Sequence, residues 1–170
     1  MIRRFLLCCL LSLGCTGFAQ ELPPLPTTPP STSQNWFGVR LGYFNQSYPF
    51  GLALHFGVEN PNGLDLRISG SLQRRERWSL GVGADVLRPF SEVRGLSVYG
   101  GAGGFLAFEG QAFLIDVHGL LGTQYRLVAA NLEELGFFLE VNLGAALAVG
   151  GIPQPNVPHI SALFGLNVYF

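Results

Sequence analysis

Apolar and polar or small residues alternate along most of the chain from Trp36 onward. A period of two sends successive side chains to opposite faces of a β-strand. The pattern is unbroken in the last stretch, residues 159–170, whose apolar face ends on the terminal residue Phe170. The last residues of soluble domains usually fray, so this ending is unusual. The apolar positions of the stretch are Ile160, Ala162, Phe164, Leu166, Val168 and Phe170.

The same alternation divides the chain into about eight predicted strands. Turn residues separate them, most clearly at Asn62-Gly63, because Asn and Gly accept positive φ. The predicted strands are residues 36–44, 50–58, 64–73, 78–86, 96–108, 111–126, 135–149 and 159–170. The connections are residues 45–49, 59–63, 74–77, 88–95, 109–110, 127–134 and 150–158, with 88–95 predicted as a polar turn.

Most of these strands have one apolar face and one face of small and polar residues. Strands of about nine or more residues are long enough to cross a bilayer when tilted. An even number of strands returns both chain ends to the same side. A helical alternative exists at residues 135–152, an apolar stretch that Glu140 and Asn142 interrupt. Period two holds there as well, and glycine is too frequent for a stable helix.

The composition favours lipid contact through strands. Hydrophobic residues make up 48% of the 170 residues and charged residues 12%, about half the usual charged share of soluble domains. The formal net charge is -1, which gives no electrostatic basis for binding nucleic acid. Aromatic residues recur toward the ends of the apolar face, as in interfacial aromatic girdles. They are Phe37, Tyr43, Phe50, Trp78, Phe113, Tyr125, Phe164 and Phe170.

The N-terminus has the pattern of a secretory signal peptide over residues 1–20: a basic start, a short apolar run and a small-residue ending. Residues 21–35 are rich in Pro, Thr and Ser and are predicted to form a disordered tether before a barrel domain at residues 36–170. All 3 cysteines, Cys8, Cys9 and Cys15, lie in the signal segment. The remainder therefore has no disulfide, cysteine zinc site or cysteine nucleophile. Lipidation of Cys15 is an open alternative.

Gly165, Val168 and Phe170 resemble the closing-strand signature of bacterial outer-membrane β-barrels, which the insertion machinery reads. The resemblance implies an all-β, antiparallel, up-and-down, eight-stranded transmembrane β-barrel, similar to OmpX and to the transmembrane domain of outer-membrane protein A. It further implies location in the cell outer membrane, a structural or envelope role, and a monomer. The implied partners are outer-membrane lipids and the barrel-assembly machinery, with no cofactor, no metal and no nucleic acid.

In a barrel of eight strands, side chains fill the interior. Buried charges must pair, so we expect Arg40 and Arg67 to pair with Asp116 and Glu140 at mid-height. The expected interior polar network is Arg40, His55, Arg67, Asp116, His118 and Glu140, with the two histidines at its margin. Two interpretations remain open: a structural plug, or a narrow gated path for ions or small solutes.

Catalysis is the weaker hypothesis. His159 and Ser161, with Glu140 in the neighbouring strand, loosely resemble the His-x-Ser plus Glu arrangement of outer-membrane lipid A deacylases. Histidine can activate serine, and a carboxylate can orient histidine, but the flanking residues of that family are missing. We therefore predict no enzyme. A soluble secreted lipocalin-like barrel that binds an apolar ligand is the other alternative, and it requires the apolar face to point inward.

Overall fold

The computed structural model describes residues 34–45, 47–60, 62–127 and 132–170, with the side chain of Glu133 left out. The predicted signal peptide, residues 1–20, lies outside the described residues. So does nearly all of the predicted tether, residues 21–35. Asn35, which we assigned to the tether, is the first residue of strand β1.

Eight antiparallel strands form one closed barrel in which each strand pairs with its neighbours in sequence. This confirms the predicted fold class. The strands are β1 (Asn35–Tyr43), β2 (Phe50–Val58), β3 (Asp65–Arg74), β4 (Trp78–Val93), β5 (Leu96–Glu109), β6 (Ala112–Leu127), β7 (Leu132–Val149) and β8 (His159–Tyr169). We call the end at which Asn35 and Phe170 lie the lower end and the opposite end the upper end.

The closing strand β8 pairs with β1, as the sequence predicts. Trp36 lies opposite Tyr169, and the register continues to Tyr43 opposite Ala162. Beyond the ladder, Asn35 and Phe170 exchange two backbone hydrogen bonds of 3.2 and 3.0 Å. Closure leaves no unpaired edge between the first and last strands, and an unpaired edge is a site of aggregation.

The predicted polar turn at residues 88–95 is wrong. Strand β4 continues to Val93 and pairs with β5 beyond an irregularity between Pro89 and Ser91. Only Arg94 and Gly95 form the turn, with φ values of 51° and 81°, as a two-residue hairpin requires. Pro89 and the bulge interrupt the alternation of apolar and polar residues, but β4 continues beyond them. The sequence pattern therefore predicted a turn where the strand in fact continues.

The apolar face points outward along the barrel wall. Ile68 is 61% exposed and Leu80 66% exposed, whereas their inward neighbours Ser69 and Ser79 are buried. Aromatic side chains lie toward both ends of this outer face. Phe50 and Trp78 both pair with Arg74 near the upper end, while Tyr125 pairs with Phe137 near the lower end. The soluble lipocalin-like alternative requires the apolar face to point into the barrel, which is the opposite of the observed arrangement.

Two apolar clusters lie inside the barrel, one toward each end. The upper cluster includes Phe44, Tyr48, Leu114 and Leu163. The lower cluster is Trp36, Leu87, Tyr99, Leu120 and Tyr169. Most of the buried charged side chains lie between them.

No helix among the described residues is long and apolar enough to cross a membrane.

Candidate functional site

The centre of the interior is an ion-pair cluster built around Arg67. Its Nε donates to Asp85 Oδ2 at 2.8 Å, and Asp85 is also its register partner across the β3–β4 hairpin. Its Nη1 and Nη2 donate to the two oxygens of Glu140 at 2.5 and 3.1 Å. This two-point contact joins β3 to β7 across the barrel. Bidentate arginine–carboxylate pairs are strong and fix the geometry of both groups.

Arg40 completes the cluster from β1. Its Nη1 lies 3.7 Å from Asp85 and 3.8 Å from Glu140, and its Nη2 donates to Ser69 at 2.8 Å. We call the four charged residues, Arg40, Arg67, Asp85 and Glu140, the charged layer. All four are buried. Two guanidinium groups face two carboxylates, so the layer is electrically balanced, as burial demands.

Glycines in the inner wall let polar side chains two strands apart reach each other. Gly122 pairs with Glu140 on β7 and with Tyr99 on β5, and the Tyr99 ring lies over it. Tyr99 thereby donates a hydrogen bond of 2.7 Å to Glu140. A Cβ atom at Gly122 would lie 2.5 Å from that ring. The hydrogen bond between Tyr99 and Glu140 therefore requires a glycine at position 122.

The same arrangement recurs at two other inward glycines. Gly103 lies between Asp85 and His118, whose Oδ1 and Nε2 atoms are 3.1 Å apart. Gly38 lies between His55 and Asn167, joined by a bond of 2.7 Å. The interior network therefore depends on glycine positions as much as on charged ones.

A second polar cluster lies on the upper side of the charged layer. Asp116 Oδ1 is 2.6 Å from His118 Nδ1, and Asp116 Oδ2 is 2.7 Å from His159 Nε2. The contact between Asp116 and His159 is short enough for an ion pair, but its angles are not those of a hydrogen bond. Together with Asn142, these side chains line part of a cavity of about 30 Å³, which has room for about one water molecule.

The upper end is closed by an apolar cap of Phe44, Tyr48, Leu114, Ile152 and Leu163. Tyr48 and Leu114 are fully buried. Ile152 belongs to the β7–β8 loop, which folds over the mouth. The next residue of that loop, Pro153, accepts a bond of 2.6 Å from Ser47 through its carbonyl oxygen.

The lower end holds a larger space of about 410 Å³, which we call the lower vestibule. The aromatic side chains of Trp36, Tyr99 and Tyr169 line it, and Arg67 forms part of its floor. Arg126 crosses it. The Arg126 guanidinium lies 3.9 Å from the centre of the Tyr169 ring, and it binds Glu59 and, at 2.9 Å, Gln34.

Glu59 lies in the β2–β3 loop at the wall of this space. Burial raises the pKa of its carboxyl group, and the neighbouring Arg126 acts in the opposite direction.

The structure brings three of the six residues expected in the network together: Arg40, Arg67 and Glu140. Asp116, which we expected to pair with an arginine, instead contacts His118 and His159. His118 links Asp116 to Asp85 and so touches the charged layer. His55 lies at the margin, bonded to Asn167 and edge-on to Phe138.

Two residues that bind side chains of the charged layer were not predicted to do so: Asp85, which binds Arg67, and Tyr99, which binds Glu140. We assigned Asp85 to the inner face without a role in the network, although its hairpin register opposite Arg67 was a usable signal. Tyr99 lies on the glycine-rich strand β5, whose faces are less certain. Its alternation with Leu96 and Val98 favours the inner face, but no sequence signal indicates Glu140 as its partner.

The His159, Ser161 and Glu140 arrangement is not assembled. Glu140 binds Arg67 and Tyr99, and the carboxylate beside His159 belongs to Asp116. Within the part of the chain that the structure describes, no group of three or more His, Cys, Asp or Glu side chains is placed to hold a metal ion.

No protein-family model matches the sequence, and curated proteins provide no match. The solved structures of similar fold include the following two. The crystal structure of Neisserial surface protein A (NspA) has a TM-score of 0.49 and 13% identity, over 81% of this chain and 94% of that one. The N-terminal β-barrel domain of Pseudomonas aeruginosa OprF has a TM-score of 0.50 and 14% identity, over 81% and 97%. The OprF barrel supports the fold assignment.

Proposed function

We propose that this chain is a β-barrel of the bacterial outer membrane with a structural or envelope role. The observation that carries the proposal is the facing of the wall: leucine, isoleucine, valine and aromatic side chains point outward, and charges point inward. An apolar outer surface of this extent is unfavourable in water. In hydrocarbon it is favourable, and barrel closure satisfies the backbone hydrogen bonds that lipid cannot.

Strand length agrees with a short span. The nine residues of β1 and of β2 are near the lower limit of the ~9–11 residues that a tilted transmembrane strand needs. Near the upper end, the Arg74 guanidinium lies 5.5 Å from the centre of the exposed Trp78 ring. A cation beside an interfacial aromatic residue is suited to anionic lipid headgroups. The upper loops would then face outward, and the lower end of the barrel, with Phe170, would face the periplasm.

Assembly in this proposal uses the C-terminal signature. Val168 and Phe170 point outward, while Gly165 faces the interior beneath the Phe138 ring. The barrel-assembly machinery would read Gly165, Val168 and Phe170 before β8 closes on β1. The protein is proposed to act as a monomer in contact with outer-membrane lipids.

The interior supports a closed barrel without catalysis. The charged layer lies between the apolar cap and the lower vestibule, and hydrogen bonds and ion pairs hold its four side chains together. A fixed network of this kind sets strand register and obstructs solutes. A narrow gated path is the second candidate, because the barrier between the two interior spaces is polar.

Membrane residence is tested by fractionation and by electrophoresis of unheated and heated samples in detergent. The proposal predicts recovery with the outer membrane and a change in migration on heating. Recovery of the native protein in the soluble periplasmic fraction would contradict it.

The closed interior is tested by single-channel recording of the purified protein in planar bilayers. We expect very low conductance from the wild type and only a small rise for Glu140→Gln and Arg67→Ala. If either variant stays folded by the heating test and conducts strongly, the result contradicts the structural plug and favours the narrow gated path.

A further inference from the structure

The lower vestibule has the features of a binding site that the structural role does not use. Its volume of about 410 Å³ far exceeds the ~30 Å³ that one water molecule occupies in the liquid. Its walls include the buried aromatic side chains Trp36, Tyr99 and Tyr169. The apolar cap closes the upper end, so a solute would enter from the lower end.

The charges around this space are unequal. Glu59, Asp65 and Glu92 supply three carboxylates to its lining. Arg67 in the floor is already neutralised by Asp85 and Glu140. Arg126 is then the cation that faces the three carboxylates, and the lining carries an excess of negative charge.

The structure already shows how a cation binds here. The Arg126 guanidinium lies 3.9 Å above the Tyr169 ring and pairs with Glu59. Trp36 belongs to the same aromatic wall, and its ring centre lies 6.2 Å from that of Tyr169. A cation over an aromatic face with a carboxylate beside it is a favourable arrangement. Arg126 therefore acts as an internal occupant of an aromatic and acidic site.

We propose that the lower vestibule binds a small organic cation, of the primary or quaternary amine class, against the aromatic wall and the carboxylates of Glu59 and Asp65. Arg126 competes with this ligand for the same wall. The proposal rests on the interior geometry and does not depend on the membrane assignment.

The test uses three probes of one shape and different charge: choline, the neutral 3,3-dimethylbutan-1-ol and the anionic 3,3-dimethylbutanoate. Binding to the full chain in a maltoside detergent is measured by isothermal titration calorimetry at pH 8. Phosphocholine detergents are avoided, because their headgroups would occupy the site. We expect choline to bind at least about tenfold more tightly than the neutral probe, and the anion more weakly still.

Variants separate this site from general adsorption. Glu59→Gln combined with Asp65→Asn should weaken choline binding about tenfold or more, while Glu76→Gln in the distant β3–β4 loop should leave it unchanged. Arg126→Gln removes the competitor and should strengthen choline binding several-fold. A purely structural Arg126 would give no such gain.

Three results would overturn the proposal in protein that passes the heating test for folding. They are equal binding of choline and its neutral isostere, weaker choline binding in Arg126→Gln, and no choline binding by either wild type or Arg126→Gln. The choline affinities of folded single variants Glu59→Gln and Asp65→Asn replace the double variant if that one fails to fold.

Discussion

Replacing Glu140 with glutamine keeps the shape of the side chain and removes one negative charge from the centre of the barrel. Arg40 and Arg67 then share the single carboxylate of Asp85. Replacing Arg67 with methionine produces the opposite imbalance, in which Asp85 and Glu140 face Arg40 alone. The double variant restores the balance, because Arg40 and Asp85 remain 3.7 Å apart.

The expected magnitudes follow from this charge count. Leaving a buried charge without its partner costs about 3–5 kcal/mol, and Glu140 and Arg67 are both buried. Each single variant should therefore lose about that much free energy of unfolding. Removing both partners of a buried pair costs far less than the sum. The double variant should lose about as much as one single variant, where independent effects would give ~6–10 kcal/mol.

The assay is reversible urea unfolding of the barrel refolded into lipid vesicles, followed by tryptophan fluorescence. Wild type, both single variants and the double variant form one double-mutant cycle. A coupling energy of about 3 kcal/mol or more is expected. Additive losses would refute the reasoning, since they would show that Arg67 and Glu140 do not depend on each other in the folded barrel.

Two further predictions concern the wall and the closing strand. Gly122→Ala should cost about 1–3 kcal/mol in the same unfolding assay, because the new methyl group meets the Tyr99 ring. Gly70→Ala, on the outer wall with open space around it, is the control and should cost nothing; equal losses would contradict the glycine argument. Deleting Phe170 should slow insertion by the assembly machinery and leave the urea midpoint of inserted barrels nearly unchanged. Insertion at the normal rate would count against the C-terminal signature.

The strands and their facing could be predicted from sequence because both depend on a local period of two. Leu66, Ile68 and Leu72 alternate with polar residues, and this alone assigns the two faces of β3. The prediction was wrong at residues 88–95, where Pro89 and the bulge disturb the period although pairing with β5 continues.

The partners inside the barrel could be predicted only in part. Strand tilt and stagger decide which inward residues share one height, and no local pattern reports them. Asp116 was therefore assigned to the arginines that Asp85 contacts instead. Tyr99 reaches Glu140 only because Gly122 leaves room between them, a condition that involves three strands. The lower vestibule likewise depends on side chains from several strands.

The facing of the wall is the central claim, and spin labelling tests it most directly. Single cysteines replace Ile68 and then Ser69, in a chain whose native Cys8, Cys9 and Cys15 are changed to serine. Each variant is refolded into vesicles and spin-labelled, and its collisions with oxygen, which is concentrated in lipid, are compared with those of a water-soluble nickel reagent. The structure predicts strong oxygen collision at position 68 and weak collision with either reagent at position 69. Strong nickel collision and weak oxygen collision at position 68 would contradict the lipid-facing barrel.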